Sequence, residues 1–241
     1  MLAAFPLPTT VFVPGANRLL DLLPRRTRSH LVGHCAAVDL APADVLAEPG
    51  GEIRHAYFPT SAVISLTIPI EGRAGVEVGL IGDEGMLGAP LVLGIGVLPF
   101  RARVLDAGQA LRVDAQAFRR CLSPGSALTR LLQRYLYVVL GQMARAATCT
   151  GFHRLEERLA RRLLMAHDRA RLCEFHATHE LLASLLGVRR VGVTQAAAAL
   201  QARGLIRYRR GQLRVTDRGG LEAAACPCYA AERALYTGML A

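Results

Sequence analysis

The chain contains no lysine. All 29 of its basic residues are arginines, set against 19 acids. An arginine-rich genome accounts for the missing lysines, but not for where the arginines collect. Long hydrophobic runs are missing too. The longest apolar stretch, Met86 to Phe100, is broken by Gly88, Pro90, Gly94, Gly96 and Pro99 and is too short to span a bilayer comfortably. The stretch Met1 to Gly15 is apolar but has no basic lead and carries three prolines, unlike a secretory signal. A cytoplasmic location with no membrane partner is therefore expected. Six scattered cysteines, Cys35, Cys121, Cys149, Cys173, Cys226 and Cys228, form no disulfide framework. Cys226-Pro-Cys228 is the one close pair, and its single intervening residue falls short of the usual zinc spacing of two to four. In a strand over Leu172 to Ala177, Cys173 and His176 would face opposite ways, which argues against a site in the Cys173, His176, His179 string. No metal and no cofactor is expected. His167-Asp168 reads as a charge feature at a helix end rather than a catalytic dyad. With no nucleophile–base pair or metal constellation, the chain is not read as an enzyme.

What is present has a clear order. The 241 residues, 52% hydrophobic, suffice for two domains with substantial cores. Short helical patterns at Asn17 to Leu23 and Arg25 to His34 precede strand candidates at Ile53 to Phe58, Ser61 to Ile68, Val76 to Ile81 and Ala102 to Leu105. Ile64, Leu66 and Ile68 alternate with Ser65 and Thr67, a period of two with one buried face. Turn signals at Pro49-Gly50-Gly51, Pro59-Thr60, Glu71-Gly72 and Gly82-Asp83 separate them. Many short strands with regular turns imply a small barrel or jelly roll. Ser123-Pro124 opens a long helix, Ser123 as cap and Pro124 in the first turn. Its apolar stripe includes Leu128, Leu132, Tyr135, Val139 and Met143, the residues expected to hold a dimer, and Val138 and Leu140 widen it beyond one face, so one side is assigned to the β domain and the other to a second copy of the chain. The pattern breaks near Gly151, the candidate hinge. A further helix over His153 to Arg169 buries Leu155, Leu159, Leu163 and Leu164, with Glu156, Glu157, Arg158, Arg161 and Arg162 on the opposite side. Asp217 can cap a last helix through Leu221 to Ala225.

Residues 178 to 211 carry the most information. Leu181, Leu182, Leu185 and Leu186 form one face of a short helix, Gly187 permits a sharp turn, and a second helix buries Val188, Val193, Ala197 and Leu200. The outer face of that second helix begins with Arg189, Arg190, Thr194 and Gln195. A basic hairpin, Ile206 to Val215, follows with Arg209 and Arg210 at its tip. Between Arg189 and Arg218 there are eight arginines and one acid, Asp217. This is the pattern of a winged helix-turn-helix, in which N-terminal residues of the second helix meet base edges and the arginines meet phosphate. Arginine can hold guanine with two bonds and glutamine can pair with adenine. Thr178, Arg189, Arg190, Thr194, Gln195, Arg209 and Arg210 are the candidate contacts to double-stranded DNA.

The order β-roll, long helix, winged helix-turn-helix resembles the Crp/Fnr superfamily of bacterial transcription regulators over nearly the whole chain. Leu186-Gly187-Val188-Arg189-Arg190 through Gly204-Leu205-Ile206 carries the resemblance most strongly. His153 to Arg161 is similar to the helix that opens the family's DNA-binding domain. Arg190 stands where the family usually has its base-reading arginine, Val191 where it often has glutamate, and Gln195 where it often has a second arginine, so the DNA word should differ. The resemblance implies an α+β fold: a cyclic-nucleotide-binding-like β-roll over residues 1–122, a dimerisation helix and hinge over 123–151, and a winged helix-turn-helix over 152–241. It also implies a homodimer and allows RNA polymerase as a further partner. The family's nucleotide pocket uses Gly-Glu-Leu and, some ten residues on, Arg-Ser. Here those places hold Gly88-Ala89-Pro90 and Pro99-Phe100-Arg101-Ala102. Alanine cannot accept a ribose hydroxyl and proline has no amide hydrogen for a phosphate. The chain also lacks the N-terminal cysteine cluster of the family's iron–sulfur branch. The expected function is dimeric, sequence-specific transcription regulation without cyclic nucleotide, its effector open. The other reading is a signalling scaffold with a vestigial DNA module, which need not keep Arg189, Arg190, Arg209 and Arg210.

Overall fold

The computed structural model describes residues 16–71, 73–169, 174–209 and 211–240. Helices α1 (Arg18–Asp21) and α2 (Arg25–Val32) lead into strands β1 (Cys35–Leu40), β2 (Val45–Ala47), β3 (His55–Pro59), β4 (Val63–Ile70) and β5 (Arg73–Ile81). After a single 3-10 turn at Ala89–Leu93 come β6 (Arg101–Asp106), β7 (Gly108–Asp114) and helix α3 (Ala115–Cys121). The strands form two antiparallel sheets, ordered β1-β7-β3 and β2-β6-β4-β5. The period-two segments become β3 to β6. β1, β2 and β7 are not evident in the pattern: β2 has three residues, and β7 is held from both sides by β1 and β3 rather than by its own alternation. Phe58 and Phe118 meet at 6.1 Å between ring centroids in the roll's core, with Leu31, Ile64 and Met86 fully buried around them. Each such side chain contributes roughly 1.5–3 kcal/mol.

Helix α4 (Ala127–Phe152) starts three residues later than its first cap signal. Ser126, not Ser123, accepts the backbone N–H of Thr129 at 3.1 Å. The helix runs through Gly151 without a break, and the chain bends only at His153, whose extended backbone ends it. Leu128, Leu132 and Tyr135 are buried against the roll, and Tyr135 Oη accepts the Met86 N–H at 3.1 Å. Val139 and Met143 are half-buried on the same core. Of the residues expected to meet a second copy, Leu128, Leu132 and Tyr135 are thus used within the chain. The apolar side chains α4 leaves exposed in its central turns are Tyr137 and Leu140.

Then follow α5 (Leu155–Arg169), β8 (Glu174–His176), α6 (His179–Leu186), α7 (Arg190–Ala202), the hairpin β9 (Ile206–Arg209) and β10 (Gln212–Val215), α8 (Arg218–Ala224) and α9 (Cys228–Leu240). A second core joins Leu159, Leu163 and Leu164 to Val193, Leu200, Leu213 and Leu221. Asp217 caps α8 as the sequence indicates, accepting the Gly220 N–H at 2.9 Å. The extent of α9 is not anticipated. It lies along α4, where Leu235 sits so close over Gly141 that a side chain there would collide with it.

The arginine side of α5 is not solvated. Arg158, Arg161 and Arg162 are buried: Arg158 donates to the Leu186 carbonyl at 2.6 Å, Arg161 pairs with Glu232 at 2.8 Å and Arg162 pairs with Glu77. Arg169 pairs with Glu84 at 2.8 Å, both side chains under a tenth exposed. Glu77 and Glu84 belong to the roll, so these pairs join the two cores. The partners lie far away in sequence, so local periodicity gives no sign of them.

Candidate nucleic-acid interface

Thr178 caps α6 by accepting the Leu181 N–H at 3.1 Å. Gly187 then takes φ 67° and ψ 35°, a left-handed conformation that glycine adopts without penalty. Its N–H bonds back to Ser184, and Val188 N–H to Ala183, so the turn is fixed before α7 begins. Leu182, Ala183, Leu185 and Leu186 are buried on α6, with Leu181 half-buried. Val193, Ala196, Ala197 and Leu200 are buried on α7, with Val188 half-buried in the turn.

The opposite face of α7 is open. Arg189, Arg190, Thr194 and Gln195 are all exposed, together with Val191. Arg190 is 70% exposed by side chain, with Glu180 at the edge of ion-pair range, 4.0 Å. Thr194 is less free than its exposure suggests. Its hydroxyl donates to the Arg190 carbonyl at 3.1 Å and lies 3.0 Å from His179 Nδ1. On the wing, Arg207 and Arg209 project outward while Tyr208 is half-buried. Tyr208 N–H donates to Gln201 Oε1 at 2.7 Å, tying the wing to α7. Arg210 lies outside the described residues, as does Cys173.

Sequence reasoning missed His179 as part of this surface. Its ring stacks on Tyr208 at 4.3 Å and 18°, joining the first helix, the recognition helix and the wing at one point. Burial, followed by the charge of Arg190, pushes its pKa below the ordinary value of 6.5. The only local signal was a histidine directly after a helix cap.

The β-roll holds a cavity of about 490 Å³ between β5, the 89–93 turn and α4. Its wall includes Gly88, Ala89, Pro90, Pro99 and Phe100 and is mostly apolar. Among the described residues no charged side chain lines it. Arg101 pairs with Glu48 at 2.9 Å on the surface instead, and Glu84 is held by Arg169.

The fold and the exposed basic α7 define a winged helix-turn-helix, a DNA-binding class. Residues 157–224 match the Crp-like helix-turn-helix domain. Most of the chain is similar in fold to solved transcription regulators. FixK2 of Bradyrhizobium japonicum superimposes with TM-score 0.66 at 15% identity, covering 80% of this chain and 98% of that one. The c-di-GMP-responsive global regulator CLP of Xanthomonas campestris gives 0.64 at 15%, covering 80% and 99%. TTHA1359, a regulator of the CRP/FNR family from Thermus thermophilus, gives 0.63 at 24%, covering 79% and 98%. A comparison with curated proteins finds no match. The chain therefore carries a Crp-like helix-turn-helix domain, within a fold it shares with solved transcription regulators. No helix among the described residues is long and apolar enough to cross a membrane.

Proposed function

We propose that the chain is a homodimeric, sequence-specific DNA-binding transcription regulator that does not answer to cyclic nucleotides. The observation that carries DNA reading is the exposed start of α7, with Arg189, Arg190 and Gln195 free to enter a major groove while Arg209 on the wing faces outward. Phosphate contacts set register and α7 reads bases. Residues 1–122 serve as the sensor, 123–151 as the dimerisation segment and 152–241 as the reader.

The dimer seam is drawn along α4 at Gln133, Tyr137, Leu140, Ala144 and Ala147, all exposed and spaced alternately four and three apart. That 3.5-residue spacing keeps one stripe facing a partner helix. Tyr137 at 57% and Leu140 at 66% exposure are large apolar groups that a second copy would cover. Selection of the full chain against a random duplex library tests the reading. A two-fold symmetric enriched sequence is expected, and no enrichment above random DNA refutes it.

The mostly apolar cavity, lined among the described residues by neither a carboxylate for a ribose hydroxyl nor an arginine for a phosphate, supports independence from cyclic nucleotides. Isothermal titration with cyclic AMP or cyclic GMP should give no heat at micromolar concentration. A dissociation constant near 1 μM, about −8 kcal/mol, would sink the claim.

A further inference from the structure

At the bend between α4 and α5 the fold gathers four ligand-type side chains. Cys149 is one turn from the end of α4, and His153 follows four residues later, where the helix stops. Cys226 and Cys228 flank Pro227 in the connection from α8 to α9. Their ligand atoms all lie within 4.8 Å of one another. Cys149 Sγ and Cys226 Sγ are 3.4 Å apart, and Cys228 Sγ and His153 Nδ1 are 3.7 Å apart. The three cysteines are buried, at 2%, 2% and 7% exposure, and form a small cluster separate from both cores.

We propose that Cys149, His153, Cys226 and Cys228 form a Cys3His site for a thiophilic divalent cation of the zinc class. Tetrahedral zinc with sulfur at about 2.3 Å and nitrogen at about 2.0–2.1 Å puts its ligand atoms about 3.5–3.8 Å apart. The observed separations, 3.4 Å between sulfurs and 3.7 Å between sulfur and nitrogen, lie within a few tenths of an ångström of those values, so small rotamer shifts close the tetrahedron. The one-residue spacing of Cys226 and Cys228, poor on its own, is relieved because the other two ligands come from a different element. Cysteine with histidine four residues on, at a helix end, presents two donors on one side. Three thiolates and a neutral imidazole around a divalent cation leave one net negative charge. Arg161 lies beside the cluster, buried, and its charge acts on Cys149 and Cys226. One arm of its guanidinium holds Glu232, while its Nε–H is buried with no hydrogen-bond partner. A thiolate cluster supplies the acceptor that this Nε–H lacks, as the groups around bound metals commonly do.

Four protein ligands leave no open position, so the site is structural rather than catalytic. It would pin the start of α9 to the end of α4 at the bend between the long helix and the DNA-reading unit. This inference does not depend on the DNA reading.

The test uses the full chain purified under reducing conditions without chelator. Elemental analysis should find about one zinc per chain. Cobalt exchange should give intense tetrahedral visible bands with thiolate-to-metal charge transfer. Cys226→Ser and Cys149→Ser should lose both signals. Cys121→Ser, which disrupts the separate surface group of His30, His34 and Cys121, should keep them. Chelation should lower the melting temperature of the wild type and leave that of Cys226→Ser unchanged. Three results overturn the proposal: no metal taken up by reduced wild type, a pale octahedral cobalt spectrum, or metal that follows Cys121. The wild-type cobalt spectrum decides the matter even if a variant fails to fold.

Discussion

At the scale of single residues, reading and holding DNA should separate. Arg190 sits at the start of the recognition helix, 70% exposed by side chain, and its fork matches guanine O6 and N7. Arg190→Ala should cost about 1–3 kcal/mol on the selected operator and much less on random duplex. Arg209→Ala, on the wing, should weaken both DNAs alike and reduce the log–log salt slope by about one unit. Fluorescence anisotropy with both DNAs across a salt series checks this, and equal losses for Arg190→Ala would make it only a phosphate clamp. Arg189, Arg190, Thr194 and Gln195 were legible because helical period alone puts them opposite Val193 and Ala197. His179 was not, since its partner Tyr208 comes from another element. The stack has a pH signature. The His179 pKa lies below the ordinary 6.5, so the folded state favours the neutral ring. That contribution is complete above about 6.5 and is lost as pH falls through the lowered folded value, because the unfolded chain takes up the proton first. Denaturant midpoints from pH 8 to pH 5 should fall faster for wild type than for His179→Gln. Parallel curves would show that the ring contributes nothing pH-dependent.

At the scale of elements, α4 shows what a pattern can and cannot give. The apolar period announces a helix with more than one buried side, and the helix is there. Which side turns inward depends on the β-roll, and Leu128, Leu132 and Tyr135 face it. Leu140→Glu therefore puts a charge into the proposed seam, whereas Leu132→Glu puts one into the chain's own core, at 0% exposure. Light scattering should report a monomer for Leu140→Glu with urea unfolding still cooperative, and urea unfolding should lose its cooperativity for Leu132→Glu. A Leu140→Glu protein that remains dimeric rules out this seam. The wing and the helix-turn-helix were legible because Gly187 and Gly204 punctuate short, strongly periodic segments. The metal-type cluster was not, because Cys149 and Cys226 meet only after α9 has been laid along α4.

At the scale of the whole molecule, buried ion pairs join the roll to the DNA-reading unit. Arg169 and Glu84 are 2.8 Å apart and nearly excluded from water. Removing one partner strands the other charge, which typically costs about 3–5 kcal/mol, whereas removing both can be near neutral. Arg169→Met should lower stability by about that amount, and adding Glu84→Gln should restore much of it. Urea unfolding of the two variants measures the difference, and equal loss in both would mean the pair itself contributes little. No sequence pattern indicated this seam, since each partner looks like an ordinary surface charge in its own segment.

Strand β5 serves two neighbours at once. Val78, Gly79 and Leu80 wall the apolar cavity, while Val76, two residues earlier, stands so close to Gly187 that a methyl group there would come within 2.9 Å of it. The wall of the cavity and the support of the helix-turn-helix turn are thus the same ribbon of backbone. Three residues beyond that turn stands Arg190. A shift of β5 by a fraction of an ångström would thus be felt first at the turn that opens α7, the helix proposed to read bases.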